Sequence, residues 1–203
     1  IYYEAYNDAS ALDGDGSLDP GYLPDAIDYF GYFNSDLCYT YSGSRFEPSA
    51  TATNEQCSGA WSGDFLNYLA TSRMDALRRV LYGGWRQVDS ATETVLQGAF
   101  FPQEGHSWGK EYQSVARDGY DITRYAPVSA PDAGRYVLFA VTTTTGNNNS
   151  YTTGYQAPLL RVLQNTDFRI WNWVSKEGPV AGNRCLTPGG VTVDCVPASQ
   201  TGG

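Results

Sequence analysis

Six aspartates stand between residues 7 and 28, at Asp8, Asp13, Asp15, Asp19, Asp25 and Asp28, with no lysine or arginine among them. The densest part reads Asp13-Gly-Asp15-Gly-Ser17-Leu-Asp19. Calcium is a hard cation that takes several oxygen ligands at once, and acidic residues spaced by glycine let a tight loop turn its carboxylates inward. Set against the EF-hand loop, Gly16 falls where that loop requires glycine, Leu18 at its usual apolar position, and Asp13 and Asp15 at ligand positions. Ala11 and Tyr22 then occupy the two ends, where the motif carries acidic ligands, so the match is partial. The expectation is one Ca2+ ion held by Asp13, Asp15, Ser17 and Asp19, with further oxygens from carboxylates such as Asp8, Asp25 or Asp28.

Two other patterns imitate chemistry. Gly105-His106-Ser107-Trp108-Gly109 fits the nucleophile elbow of hydrolases. That mechanism needs a separate histidine to take the serine proton, and His106, the only histidine in the chain, is the serine's own neighbour. The elbow also follows a strand, whereas Pro102-Gln-Glu-Gly reads as a loop. Asp8-Ala-Ser10 opens like a D-x-S-x-S adhesion motif, but Leu12 stands where the second serine belongs. Trp61, Trp85, Trp108, Trp171 and Trp173 are open to two readings, a sugar-stacking face or ordinary core and interface.

The composition bounds what these residues can serve. The chain has 203 residues, with 13 Lys+Arg against 22 Asp+Glu and a net charge of −9, which argues against any surface that tracks nucleic-acid phosphates. Charged residues make up 17%, below the roughly 25% usual for soluble domains, and 16 tyrosines and 22 glycines help to fill the difference, as in secreted and cell-surface proteins. No apolar stretch is long enough to span a membrane. Cys38, Cys57, Cys185 and Cys195 lie in two local pairs, and in an oxidising compartment the simplest pairing joins Cys38 to Cys57 and Cys185 to Cys195. Pro188-Gly189-Gly190 can turn the chain between the second pair.

The elements that must position these groups form helices early and strands late. Ser62 can cap a helix that carries Phe65, Leu66, Leu69, Leu77, Val80 and Leu81 at three-to-four spacing and ends at Gly83-Gly84. A second helix is expected from Ser90-Ala-Thr-Glu93, a capping-box pattern, burying Val95, Leu96, Ala99 and Phe100. Between Tyr29 and Cys57 aromatic and small polar residues alternate, which suggests irregular structure held by the first disulfide. Arg135–Thr145, Pro158–Leu163 and Phe168–Ser175 read as strands. These elements predict an α+β fold, a mixed sheet with a few helices stapled by disulfides, arranged as an acidic calcium-loop segment over residues 1–30 and an α+β domain over 31–203.

Read together, the segments resemble the PilC/PilY family of type IV pilus biogenesis and tip-adhesin proteins. The resemblance is carried by Tyr6-Asn-Asp-Ala-Ser through Asp19, Asp28-Tyr-Phe-Gly-Tyr-Phe33 with Cys38-Tyr-Thr-Tyr41, and Trp61-Ser-Gly-Asp-Phe-Leu-Asn-Tyr68. It continues through Ser72-Arg-Met-Asp-Ala-Leu-Arg-Arg-Val-Leu-Tyr-Gly-Gly84, Ala91-Thr-Glu-Thr-Val-Leu96, His106-Ser-Trp-Gly-Lys-Glu-Tyr112 and Arg169-Ile-Trp-Asn-Trp-Val-Ser175. It implies a non-enzymatic, extracellular protein at the pilus tip or outer cell surface. Such a protein acts in pilus assembly and adhesion, and its partners are minor pilins or the pilus tip and a host or abiotic surface ligand. Members of the family are longer, so the chain is expected to be an N-terminal portion of such a protein. The resemblance leaves a place within a von Willebrand factor type A-like region open, while the missing D-x-S-x-S triplet counts against metal-dependent adhesion of that type. Two alternatives from other classes are a carbohydrate-binding module of a secreted enzyme and a subunit of an extracellular fibre.

Overall fold

A computed structural model of the chain describes residues 21–99, 109–142, 158–170, 184–186 and 192–194. These residues form small antiparallel sheets and short helices, an α+β fold, divided into two compact units. The first unit gathers Tyr22–Ala99 and Ser114–Ala130.

Within it, strands β1 (Leu37–Ser42) and β2 (Arg45–Thr51) make an antiparallel hairpin, and β3 (Trp61–Ser62) pairs with the other edge of β1. This replaces the irregular structure expected between Tyr29 and Cys57. The hairpin closes through Gly43 and Ser44, both left-handed at φ 56° and 68°, and two such residues in succession give a turn whose twist matches that of the strands. Pro48 has no amide hydrogen to donate and sits on the edge strand β2, where none is missed. Edge-to-face contacts hold the face of the hairpin, with Phe46 against Phe33, Tyr41 and Trp61 at centroid distances of 5.5, 5.1 and 6.0 Å. Cys38 and Cys57 form the expected disulfide, with Cα atoms 5.7 Å apart.

The single helix expected from Ser62 to Gly83 is two helices, α1 (Gly63–Ala70) and α2 (Arg73–Tyr82). Thr71 between them is extended, at φ −80° and ψ 118°. The break has a local cause. Ser72 Oγ accepts the Asp75 amide at 3.0 Å and the Asp75 carboxylate accepts the Ser72 amide at 3.2 Å, a capping box that starts a new helix where Ser72 and Arg73 interrupt the apolar stripe between Leu69 and Leu77. Ser62 caps α1 as predicted, accepting from the Phe65 amide at 3.3 Å, and Gly83 ends α2 in the left-handed conformation. Helix α1 is buried from Gly63 to Leu69, whereas α2 buries only Asp75.

The second helix predicted from Ser90 is instead a hairpin of β4 (Arg86–Asp89) and β5 (Thr94–Leu96). Ser90 Oγ does accept the Glu93 amide at 3.0 Å, as a cap would, but the Ser90 amide donates to the Glu93 carbonyl at 2.9 Å and closes a turn. A serine hydroxyl stabilises a turn by the same local bond it uses at a helix start, and the β-branched Thr94-Val95 then favours the strand. Helix α3 (Val115–Asp118) and a 3-10 turn (Ile122–Arg124) complete the unit, with the Cys57 amide bonded to the Arg124 carbonyl at 2.6 Å and the Ser62 amide to the Tyr125 carbonyl at 2.8 Å.

In the second unit β6 (Gly109–Tyr112), β7 (Tyr136–Thr142) and β8 (Leu159–Thr166) form a three-stranded antiparallel sheet in that order. Strands were predicted at the last two. Leu138, Ala140 and Ile170 make its small core. Glu111 is buried and accepts two bonds from Arg169 Nε and Nη2, both at 2.9 Å, plus the Ile170 amide at 3.0 Å. That clamp turns Phe168–Ile170 out of the sheet, contrary to the strand expected to begin there. Gly109 is required where Ile170 crosses β6, since any side chain would collide with Ile170 and the Phe139 carbonyl. Near the C-terminus β9 (Arg184–Leu186) and β10 (Thr192–Asp194) pair antiparallel in a register that sets Cys185 opposite Val193 and not opposite Cys195, which lies outside the described residues.

Candidate functional site

Helix α1 carries two polar side chains three residues apart, Asp64 and Asn67, and both are buried, at 0% and 1% exposure. A carboxylate that leaves water must find donors, and Asp64 finds three in the loop that precedes β1. Its Oδ2 accepts the Tyr22 hydroxyl at 2.8 Å, and its Oδ1 accepts the Tyr29 amide at 2.9 Å and the Ser35 hydroxyl at 3.1 Å. Asn67 donates to the carbonyls of Tyr29 and Phe33 at 2.8 and 2.9 Å and accepts the Phe33 amide at 3.0 Å. The two side chains together satisfy a loop that has little regular structure of its own.

Tyr22 joins this polar network to an aromatic one. Its ring packs against Tyr29, Phe65, Tyr68, Tyr120 and Tyr125 at centroid distances of 4.9 to 5.3 Å, three of them edge-to-face. Burial and the adjacent Asp64 carboxylate hold its phenol protonated, far above the ordinary range. Burial likewise raises the Asp64 carboxyl, against the lowering effect of its bonds to Tyr22, Tyr29 and Ser35.

Glu55 stands beside Asp64, on a turn in which Asn54 and Glu55 are both left-handed, at φ 50° and 62°. A left-handed glutamate is strained, and such strain persists only where the surroundings hold it. Partial burial, then the charges of Asp64, Asp28 and Asp25, push its carboxyl up to about 7. Asp25, Asp28, Glu55 and Asp64 thus make an acidic corner. Among the described residues no three His, Cys, Asp or Glu side chains are grouped as a metal would need.

The predicted calcium residues Asp13, Asp15, Ser17 and Asp19 lie outside the described residues, as do His106, Ser107 and Cys195. Of the carboxylates nominated beyond that loop, Asp25 and Asp28 join the acidic corner. Asp64 stands in the first turn of α1, where a carboxylate also complements the helix dipole. The signal for its larger role was a polar pair, Asp64 and Asn67, set among Phe65, Leu66, Tyr68 and Leu69 on a helix buried throughout.

Because the Glu55 carboxyl titrates near 7 when folded and near its ordinary 4.5 when unfolded, the folded chain holds a proton that the unfolded chain releases between those values. Stability contributed by protonated Glu55 is therefore present at low pH and lost as pH rises toward 7. Glu55→Gln should be more stable than the parent at pH 8 by about 1–2 kcal/mol, allowing for solvent screening, and the gain should shrink toward pH 5. Urea denaturation of both proteins across that range checks it; an equal difference at both ends would contradict it.

The model of one protein family, described as the small alpha/beta domain of PilY1 homologues, matches residues 19–163. The chain is 57% identical over 205 residues to a type IV pilus biogenesis factor PilY1 homolog of Xylella fastidiosa strain Temecula1, a match that covers 100% of this chain and 13% of that protein. A second protein of the same name and organism is 38% identical over 90 residues, covering 38% of this chain and 7% of the relative. No solved structure matches. The present chain spans only a small part of these relatives, and the family match takes in both units, with the disulfide, the Asp64 network and the sheet of β6, β7 and β8. The chain belongs to the family of PilY1 homologues, as their small alpha/beta domain.

Proposed function

We propose that this domain is a folded part of a type IV pilus-associated protein that acts in pilus assembly and surface adhesion outside the cell. The observation that carries the reading is the 57% identity, over the whole chain, to a relative named a pilus biogenesis factor. The Cys38–Cys57 disulfide agrees with an extracellular setting, since such bonds persist in oxidising compartments. Partners of this kind would be minor pilins or the pilus tip on one side and a host or abiotic surface ligand on the other. No helix among the described residues is long and apolar enough to cross a membrane. The role is taken to be non-enzymatic, as the resemblance to the pilus biogenesis family implies, and the raised titration of Glu55 and Asp64 follows from their burial and mutual charge. Of the two described tryptophans Trp61 is buried and only Trp85 is exposed, with Arg78 over its ring at 5.6 Å, so they offer the carbohydrate-binding alternative no stacking face of several rings.

The proposal extends to one structural Ca2+ ion on Asp13, Asp15, Ser17 and Asp19, supported by the alternation of acidic residues with glycine in that segment. It would neutralise part of the −9 charge that six aspartates concentrate near the N-terminus.

An in-frame deletion of this domain from the full-length protein should lower the number of surface pili and the attachment of cells. Unchanged piliation and attachment, with the shortened protein present at normal levels, would refute the reading. For the metal, calorimetric titration with calcium should give saturable heat at or below the millimolar range typical of extracellular sites, lost in Asp13→Ala/Asp15→Ala. A parent protein that gives no heat would remove the ion from the account.

A further inference from the structure

Helix α2 is inside out. An amphipathic helix on a domain surface normally turns its apolar stripe inward. Here the inward contact is polar: Asp75 is buried and its Oδ1 accepts the Ala99 amide at 2.8 Å. The apolar stripe faces water. Leu77, Val80 and Leu81 are 52%, 72% and 69% exposed, Met74 precedes them by one turn, and Tyr82 and Trp85 extend the patch past the helix end.

The patch is preformed. A capping box starts α2, a left-handed glycine ends it, Arg79 donates to the Gly83 carbonyl at 3.2 Å, and Arg78 stacks on Trp85. Its charge is opposite to that of the chain. Residues 73–89 hold four arginines, at 73, 78, 79 and 86, against Asp75 and Asp89, in a protein of net charge −9. One of those aspartates is buried under the helix, and the other is paired with Arg86 at 2.8 Å.

We infer that the outer face of α2, from Met74 to Trp85, is a docking surface for an acidic amphipathic segment of a partner protein, one that sets leucine-like side chains on the stripe and carboxylates against the arginines. This inference deepens the assembly reading above and rests on it only for the biological setting. A second copy of this chain is a poor occupant, because a two-fold pairing of α2 would set arginines against arginines. An anionic bilayer is also poor. Charges are screened over about 8 Å in physiological salt, so a short segment meets only the arginines, whereas an extended anionic surface meets the whole acidic chain.

The test uses the 203-residue chain and a fluorescein-labelled helical peptide with leucines at i, i+3, i+4 and i+7 and glutamates on both flanks, read by fluorescence anisotropy. The parent should bind it, less tightly as salt rises. A peptide with lysines for glutamates should not bind. Val80→Ser/Leu81→Ser, which changes only exposed side chains, should bind at least about tenfold more weakly, the loss expected for two aliphatic groups no longer buried. Arg78→Glu/Arg79→Glu should lose binding and gain affinity for the lysine peptide. Unaltered thermal melts confirm that the variants fold. The inference is overturned if the acidic peptide fails to bind, if either variant binds like the parent, if phosphatidylglycerol vesicles are bound in preference, or if sedimentation shows that the parent dimerises through this face. Because no step involves pili, failure here leaves the pilus reading standing, and loss of that reading leaves this surface standing.

Discussion

A carboxylate removed from water is the constraint on which the first unit depends. Asp64 is fully buried on α1, and its cost of burial is offset only because Tyr22, Tyr29 and Ser35 come to it as donors. These donors lie 42, 35 and 29 residues away in sequence, so the bonds that satisfy one side chain also fix the course of the loop before β1. Asn67 continues the same work one turn along, and the ring of Tyr22 carries it into the aromatic core. Loss of the carboxylate would leave a hydroxyl and an amide unpaired inside the unit as well as removing bonds.

This arrangement explains why the two helices differ. Helix α1 spends its polar residues inward on the loop, and its apolar residues are covered on all sides. Helix α2 is anchored by Asp75, through its own cap and the Ala99 amide, and so its apolar residues are left for something outside the described chain. The crowding of acids around Asp64 has a cost of its own, borne by Glu55, whose proton is retained toward neutral pH. The second unit uses the same device with a cation available. There Glu111 is buried in β6, and Arg169 together with the Ile170 amide satisfies it.

Local signals were legible where one interaction admits one structure. Ser62 as a cap, Gly83 as a stop, the β-branched runs of β7 and β8 and the Cys38–Cys57 pair all read correctly. The failures came where one bond serves two structures. Ser90 and Glu93 make the contact of a helix cap and of a tight turn alike, and Ser72 with Asp75 starts a helix where Arg73 marks only a gap in an apolar stripe that resumes at Leu77. The β1–β2 turn uses Gly43-Ser44, without the Asn-Gly or Asp-Gly that marks such hairpins most clearly. The polar pair Asp64 and Asn67 among apolar neighbours was visible, but the partners of Asp64 could not be read from spacing, because they lie tens of residues away and are brought to it only by the fold. The acidic loop at Asp13–Asp19 was conspicuous for the opposite reason, being wholly local.

The measurement that bears most directly on this account is a double-mutant cycle between Tyr22 and Asp64, by urea denaturation of the parent, Tyr22→Phe, Asp64→Ala and the double variant. If the buried carboxylate organises the loop and the aromatic core together, the pair should show a coupling energy of about 1–3 kcal/mol. Effects of the two substitutions that add to within about 0.3 kcal/mol would contradict it, and would mean that Tyr22 is held by ring packing alone.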